Sequence, residues 1–213
     1  MKQLFITIFL LSLSSNLAFG QTNYDSPYED GLYKTKEDLI SKKPSSQVEI
    51  YPVINGKEYD ESLDEVNECF FYYRDSEKKI KNTFAISYDG NLFFQKVQIV
   101  MPKNRNKKDK DQSMYTYNAF VKVIEGGDNY LYTELELHSG WGAAVAANTS
   151  VKSAGNETLK GVVWDFKNEE FNIFRNCKDL NEFMELIFPD GKQNCDSKAY
   201  DIEMIRKNIS VIK

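Results

Sequence analysis

From Val48 to about Phe174 the apolar residues fall in short runs, not at helical spacing. VEIYPVI, CFFYYR, TFAISY, LFFQKVQIV, YTYNAFVKVI, YLYTELEL, GVVWDF and FNIFR are each rich in Val, Ile, Tyr, Phe or Thr, and each predicts a strand. Alternation is cleanest in YLYTELEL. Leu131, Thr133, Leu135 and Leu137 point one way; Tyr130, Tyr132, Glu134, Glu136 and His138 point the other. The second set reads as a wet face, as expected where an antiparallel sheet has one solvated side. Asp89-Gly90-Asn91, Glu125 to Asn129 and Lys167-Asn168-Glu169 read as hairpin connections. Helix-length spacers between the runs are missing, which excludes a parallel doubly wound sheet.

The period changes after Asn176. Leu180, Phe183, Met184 and Ile187 follow the i, i+3, i+4, i+7 rule of an amphipathic helix, with Asn176 as its cap and Pro189-Asp190-Gly191 as its stop. A second helix is expected from near Ser197, with Ile202, Ile205, Ile209 and Ile212 as its stripe. Near the start, DGLYKTKEDLISKKPS predicts one or two helical turns. Thr35 caps them, Asp38 completes a capping box, Ser41 to Lys43 form the last turn and Pro44 ends them. So short a helix must lean on the rest, through Tyr33, Leu39 and Ile40. The fold class expected is α+β: a predominantly antiparallel β-sheet, as a sandwich or partly open barrel, with a short N-terminal helix and two C-terminal amphipathic helices.

Residues 1–20 stand apart. A basic Lys2, an apolar core from Leu4 to Leu13 and small residues at Ala18 and Gly20 make a secretory signal peptide, with cleavage expected after Gly20. The apolar run is shorter than the ~20 residues of a membrane span, and no later segment is long and apolar enough. Residues 21–213 then form one β-rich domain, in which 176–213 is a helical pair packed on the sheet. Losing Lys2 moves the net charge from −5 to −6. A mildly acidic surface argues against general nucleic-acid binding. The densest basic run, KNRNKKDKDQ at 103–112, has no interleaved aromatic and reads as a solvated loop.

The search for chemistry is mostly negative. One histidine excludes a two-histidine zinc site, and there is no Cys-x-x-Cys, phosphate-binding glycine loop or Gly-x-Ser-x-Gly elbow. Asp109 to Ser113 opens like a calcium loop, but Met114 and Phe120 stand where glycine and glutamate are needed. His138 and Ser139 point to opposite faces of a strand and cannot pair. Glu134 and Glu136 share a face, and paired acids can do hydrolytic work, but polar-face glutamates usually just meet water. No catalytic, cofactor-binding or metal-binding residue is assigned, and no cofactor is expected. Cys177 and Cys195 precede the two terminal helices and form a possible disulfide; the alternative is two buried thiols. Cys69 is then the odd cysteine. Asn148, Asn156 and Asn208 match the N-glycosylation pattern.

HSGWGAAVAANTS at 138–150 combines the lone histidine with small residues. It is too short to span a membrane. Its Gly and Ala residues let another backbone come close, so it is expected to be a sheet segment under a terminal helix, with Trp141 over one end.

Two stretches carry a family resemblance. DGLYKTKEDLISKKPS resembles the opening of a group of uncharacterised secreted or envelope proteins of Bacteroidetes, in which Asp-Gly, an aliphatic residue and Tyr lead to an acid pair and Pro-Ser. VVWDFKNEEFNIFRNCKDLNEFM and the terminal IRK helix are similar to the C-terminal half of those proteins. Leu39 stands where Phe is more usual. The resemblance covers about a third of the chain and implies a Gram-negative envelope origin and a domain of unknown function. It transfers no catalytic residue, and it implies that the glycosylation sequences are idle.

Three functions are weighed. The first is a non-catalytic exported protein, periplasmic or secreted, that binds an envelope partner or small ligand through an aromatic-rich sheet. The second is a β-barrel carrier of a small apolar ligand, lined by residues such as Val97, Val121 and Leu135. The third is a hydrolase using Glu134/Glu136 or His138.

Overall fold

The structure, a computed structural model, describes residues 24, 26–109, 118–137, 159–196 and 201–213. The signal segment, His138, Trp141, the Gly/Ala run at 143–147, Asn148 and Asn156 therefore lie outside the described residues.

Two dipeptides make the tightest turns. Asn55-Gly56 (φ 51° and 77°) and Asp89-Gly90 (φ 50° and 70°) are left-handed at both positions, the geometry that matches the twist of a two-residue hairpin. The first joins β2 (Ile50–Ile54) to β3 (Lys57–Glu58), and the second joins β5 (Ala85–Tyr88) to β6 (Asn91–Gln95). The other strands are β1 (Gly31–Tyr33), β4 (Glu68–Tyr73), β7 (Phe120–Gly126), β8 (Tyr130–Glu136), β9 (Leu159–Asp165) and β10 (Glu170–Phe174). They pair in the order β1-β5-β6-β7-β4-β2-β3, and β7 also leads to β8, β9 and β10. Every pairing between these strands is antiparallel, and the sheet does not close into a barrel.

The short strand β1 was not expected from the sequence. Gly31 permits it: at φ 147°, a Cβ there would lie 2.7 Å from the Ser46 carbonyl oxygen. Helix α1 (Lys36–Ile40) follows, with Thr35 and Asp38 forming the expected capping box. It ends earlier than Pro44 would require, because Lys42 is already left-handed at φ 54°. Tyr33 and Leu39 are buried, whereas Ile40 is exposed and does not anchor the helix. LFFQKVQIV is also not one strand. The ladder stops at Gln95, the Lys96 N–H turns to the Ala119 carbonyl, and Lys96–Val100 forms helix α2. A short apolar run fits one helical turn as well as a strand.

Three apolar layers result. Between the two halves of the sheet lie Leu92, Phe94, Val121 and Val123 on one side and Leu131, Leu135, Trp164 and Phe171 on the other. Trp164, Phe84, Phe94 and Phe171 meet there with ring centroids 4.9 to 5.9 Å apart. On the far side of β5 and β6, Ile86 and Phe93 meet Phe71 of β4 in a second layer. A third layer covers β8 and β9. Helix α3 (Cys177–Ile187) brings Leu180 and Met184, and helix α4 (Ile202–Ile212) brings Ile205 and Ile209, onto Tyr132, Val163 and Phe174. Helix α4 begins after its cap Asp201; residues 197–200 lie outside the described residues.

The expected wet face of β8 is therefore corrected. Tyr132 and Glu134 are buried beneath α4, Tyr130 is half-buried, and Glu136 is the exposed one among the described residues of that face. Alternation marks two faces, but it cannot say what covers the more polar one.

Replacing Ile205, fully buried in the third layer, with Ala should cost about 2–4 kcal/mol in a denaturant melt. A change under about 0.5 kcal/mol, the size usual for surface positions, would show that α4 is not packed on the sheet.

Candidate functional site

The outer edge of β10 is where polar groups converge. On that edge the Phe171 N–H donates to the Asn104 carbonyl at 2.7 Å, and the Asn106 N–H donates to the Phe171 carbonyl at 2.8 Å. Two residues on, the Ile173 N–H donates to the Asp109 carboxylate at 3.0 Å. Residues 104–109 thus form a strap that satisfies an otherwise open sheet edge. The Asn106 amide ties the strap to Glu170 (2.7 Å) and Asn172 (3.2 Å), and the Asn104 amide turns inward to Gln98 (3.0 Å). The basic run is therefore not a solvated loop throughout: Asn104 and Arg105 are buried, and 110–112 lie outside the described residues. Its short polar side chains, which can stand in for backbone partners, were the overlooked signal.

The strap, β10 and α3 wall an open cleft of about 270 Å³. One end is built around the cap of α3. Asn176 accepts hydrogen bonds from the Lys178 and Asp179 N–H groups. Asp179, favoured in that first turn by the helix dipole, accepts Arg175 Nε at 2.7 Å and Nη2 at 3.1 Å. Asp109 lies 3.9 Å from Arg175 Nε, with its side chain only 7 % exposed. Burial pushes its carboxyl up to about 6, against the smaller opposing pull of the Ile173 N–H and Arg175. The other end is the β9–β10 turn. There Asp165 accepts the N–H groups of Lys167 (2.8 Å) and Asn168 (3.1 Å) and the Asn168 amide (2.7 Å). Burial also raises the Glu170 carboxyl, with the Asp165 charge adding to the effect. Phe183, Leu186 and Ile187 of α3 form an apolar lip, on which Leu186 is 86 % exposed.

The residues singled out in the sequence lie elsewhere. The Glu134 carboxylate accepts Arg206 Nε and Nη2, both at 2.8 Å, and the Tyr132 hydroxyl at 2.9 Å. It is a clamp between β8 and α4, and it does not pair with the exposed Glu136. His138 lies outside the described residues. Cys177 and Cys195 form a disulfide, Cα–Cα 5.5 Å, that ties the start of α3 to the segment leading into α4. Cys69 is a buried free thiol whose ionisation burial disfavours. Asn208 is buried and donates to the Gly191 carbonyl at 2.7 Å, so its glycosylation pattern is closed in the folded chain. Val121 and Leu135 belong to the packed central layer, and Val97 lies half-buried on α2. Among the described residues no three His, Cys, Asp or Glu side chains are grouped to hold a metal ion, and no helix is long and apolar enough to cross a membrane. No protein-family model, curated protein or solved structure matches the chain.

The raised Asp109 carboxyl sets a sign for pH. Folding disfavours its charge, so between about 6 and the ordinary value of 3.8 the native state holds the proton more tightly than the unfolded chain. Its contribution to stability is fully present below 3.8 and is lost as pH rises through about 6. Asp109→Asn keeps an oxygen for the Ile173 N–H and removes the charge. It should therefore melt higher than the parent at pH 7.5, and the gap should close as pH falls below about 4. A variant that melts lower at neutral pH would show that the charge stabilises the strap.

Proposed function

We propose that this is an exported, non-catalytic binding protein that takes a small ligand, or one side chain of an envelope partner, in the cleft between the strap, β10 and α3. The observation that carries this reading is the buried Asp109 carboxylate at the cleft wall, in a setting that disfavours its charge. A buried, strongly perturbed carboxyl facing a cleft is a functional-site candidate. Export is supported by the signal-like residues 1–20 and by the Cys177–Cys195 disulfide, a bond favoured in oxidising compartments. The likeness to secreted or envelope proteins of Bacteroidetes points the same way. The aromatic outer face of β2 and β4 is a weaker candidate. Arg74 already stacks over Tyr51 at 4.2 Å, and Lys79 over Phe70 at 3.7 Å, so the ring faces are occupied.

Screening the protein against a set of small polar fragments by amide chemical-shift mapping tests the location. Shifts should gather on Asn106, Asn172, Arg175 and Phe183. Binding that instead moves Tyr51 and Tyr72, with the cleft silent, would move the function to the outer sheet face.

A further inference from the structure

We infer that the cleft is selective for a primary amine on an aliphatic stem, either a free small amine or the lysine side chain of a partner. This rests on the cleft being the binding site and names the class of ligand it takes.

Charge balance in the cleft is the first ground. Arg175 gives Nε and Nη2 to Asp179 and holds Asp109 only at 3.9 Å. Asp165 and Glu170 are hydrogen-bonded to neutral donors, namely backbone N–H groups and the Asn168 and Asn106 amides, and Lys107 acts on Glu170 only through space. Asp109 accepts one backbone N–H, forms a long ion pair with Arg175 at 3.9 Å, and feels Arg105 through space. Lys108 and Lys167 also line the cleft, but both are exposed and form no ion pair among the described residues. The cleft is thus lined by five carboxylates, those of Asp109, Asp165, Glu170, Asp179 and Glu182, against the three cations Lys108, Lys167 and Arg175. That excess of negative charge favours a cation over an anion.

Shape selects among cations. No three ligating side chains are grouped for a bare metal ion among the described residues. A cleft of about 270 Å³ has room for a side-chain-sized ligand and is smaller than a drug-sized pocket. The lip supplies the complement to an aliphatic stem: Phe183 and Ile187 lie one helical turn apart on α3, with the exposed Leu186 between them. A neutral sugar would leave the carboxylates uncompensated. An alcohol of the same stem would use the lip but not the charge.

The full chain is titrated at pH 7.5 with n-butylamine, with Nα-acetyl-lysine N-methylamide, with n-butanol, with butyrate and with N-acetylglucosamine, following cleft amide shifts. At least one of the two amines should bind, with butanol and butyrate weaker by about tenfold or more, the loss of a charge-assisted contact. Asp109→Asn and Glu170→Gln, which keep their oxygen acceptors, should each weaken amine binding by about the same factor. Tighter binding of butylamine identifies a free amine as the source; tighter binding of the lysine amide identifies a partner's side chain. Equal binding of butanol, or amine binding unchanged in both variants, would overturn the inference. Sugar or butyrate shifting the cleft while both amines fail would overturn the ligand class and leave the cleft as the site. Shifts confined to other surfaces would overturn both.

Discussion

Strand β7 has two edges and three partners, and the rest of the structure follows from how it serves them. Its first residues pair with β6 through Phe120 to Lys122 and with β4 through only Phe120 and Val121. Its second half pairs with β8, and there the register jumps from Val123–Thr133 to Glu125–Tyr132, leaving Ile124 as the extra residue of a bulge. A bulge bends a strand and increases its twist. The bend lets one continuous ladder fold upon itself, with Val121 and Val123 facing the central layer. The other face of β7 is divided. Phe120 serves the layer under β2 and β4, and Ile124 packs into the layer under the helices.

That division explains why charged groups are buried where they are. Lys122, between the two outer layers, is buried and donates to the Leu63 and Asp64 carbonyls at 3.2 and 2.9 Å, while burial depresses its pKa. Glu134 meets Arg206 where α4 crosses β8. Each places a charge in the interior only with specific partners, as the desolvation cost requires. Asp109 differs. It lies at an open cleft, not at an interface between layers. Its place at an open cleft, with the lining carboxylates beside it, is what singles out the strap, β10 and α3.

Much of this was legible in the sequence because local rules dominated. The Thr35–Asp38 box, the Asp89-Gly90 turn, the Asn176 cap and the stripe of α4 are set by neighbours within a few residues. Period-2 runs located nearly every long strand. What was hidden depended on distant partners. The polar face of β8 looked wet because Tyr132 and Glu134 carry no local mark of the helix that covers them, some seventy residues on. The strap looked like a lysine-rich loop because Asn104, Asn106 and Asp109 find partners on β10, more than sixty residues away. The cleft was missed for the same reason: its carboxylates come from β10, the strap, α3 and the β9–β10 turn, and only the folded chain gathers them. The disulfide lay between the two cases, since Cys177 and Cys195 flank one helix and its return.

The central claim is that β7 binds both halves of the sheet into one cooperative unit. Native-state hydrogen exchange across a denaturant series tests it on Ile86 of β5 and Val163 of β9, each paired with strands on both sides. Their opening free energies should converge on the same global value, together with that of Val121. Two separate plateaus, with β8 to β10 opening while β1, β5 and β6 stay protected, would contradict the account.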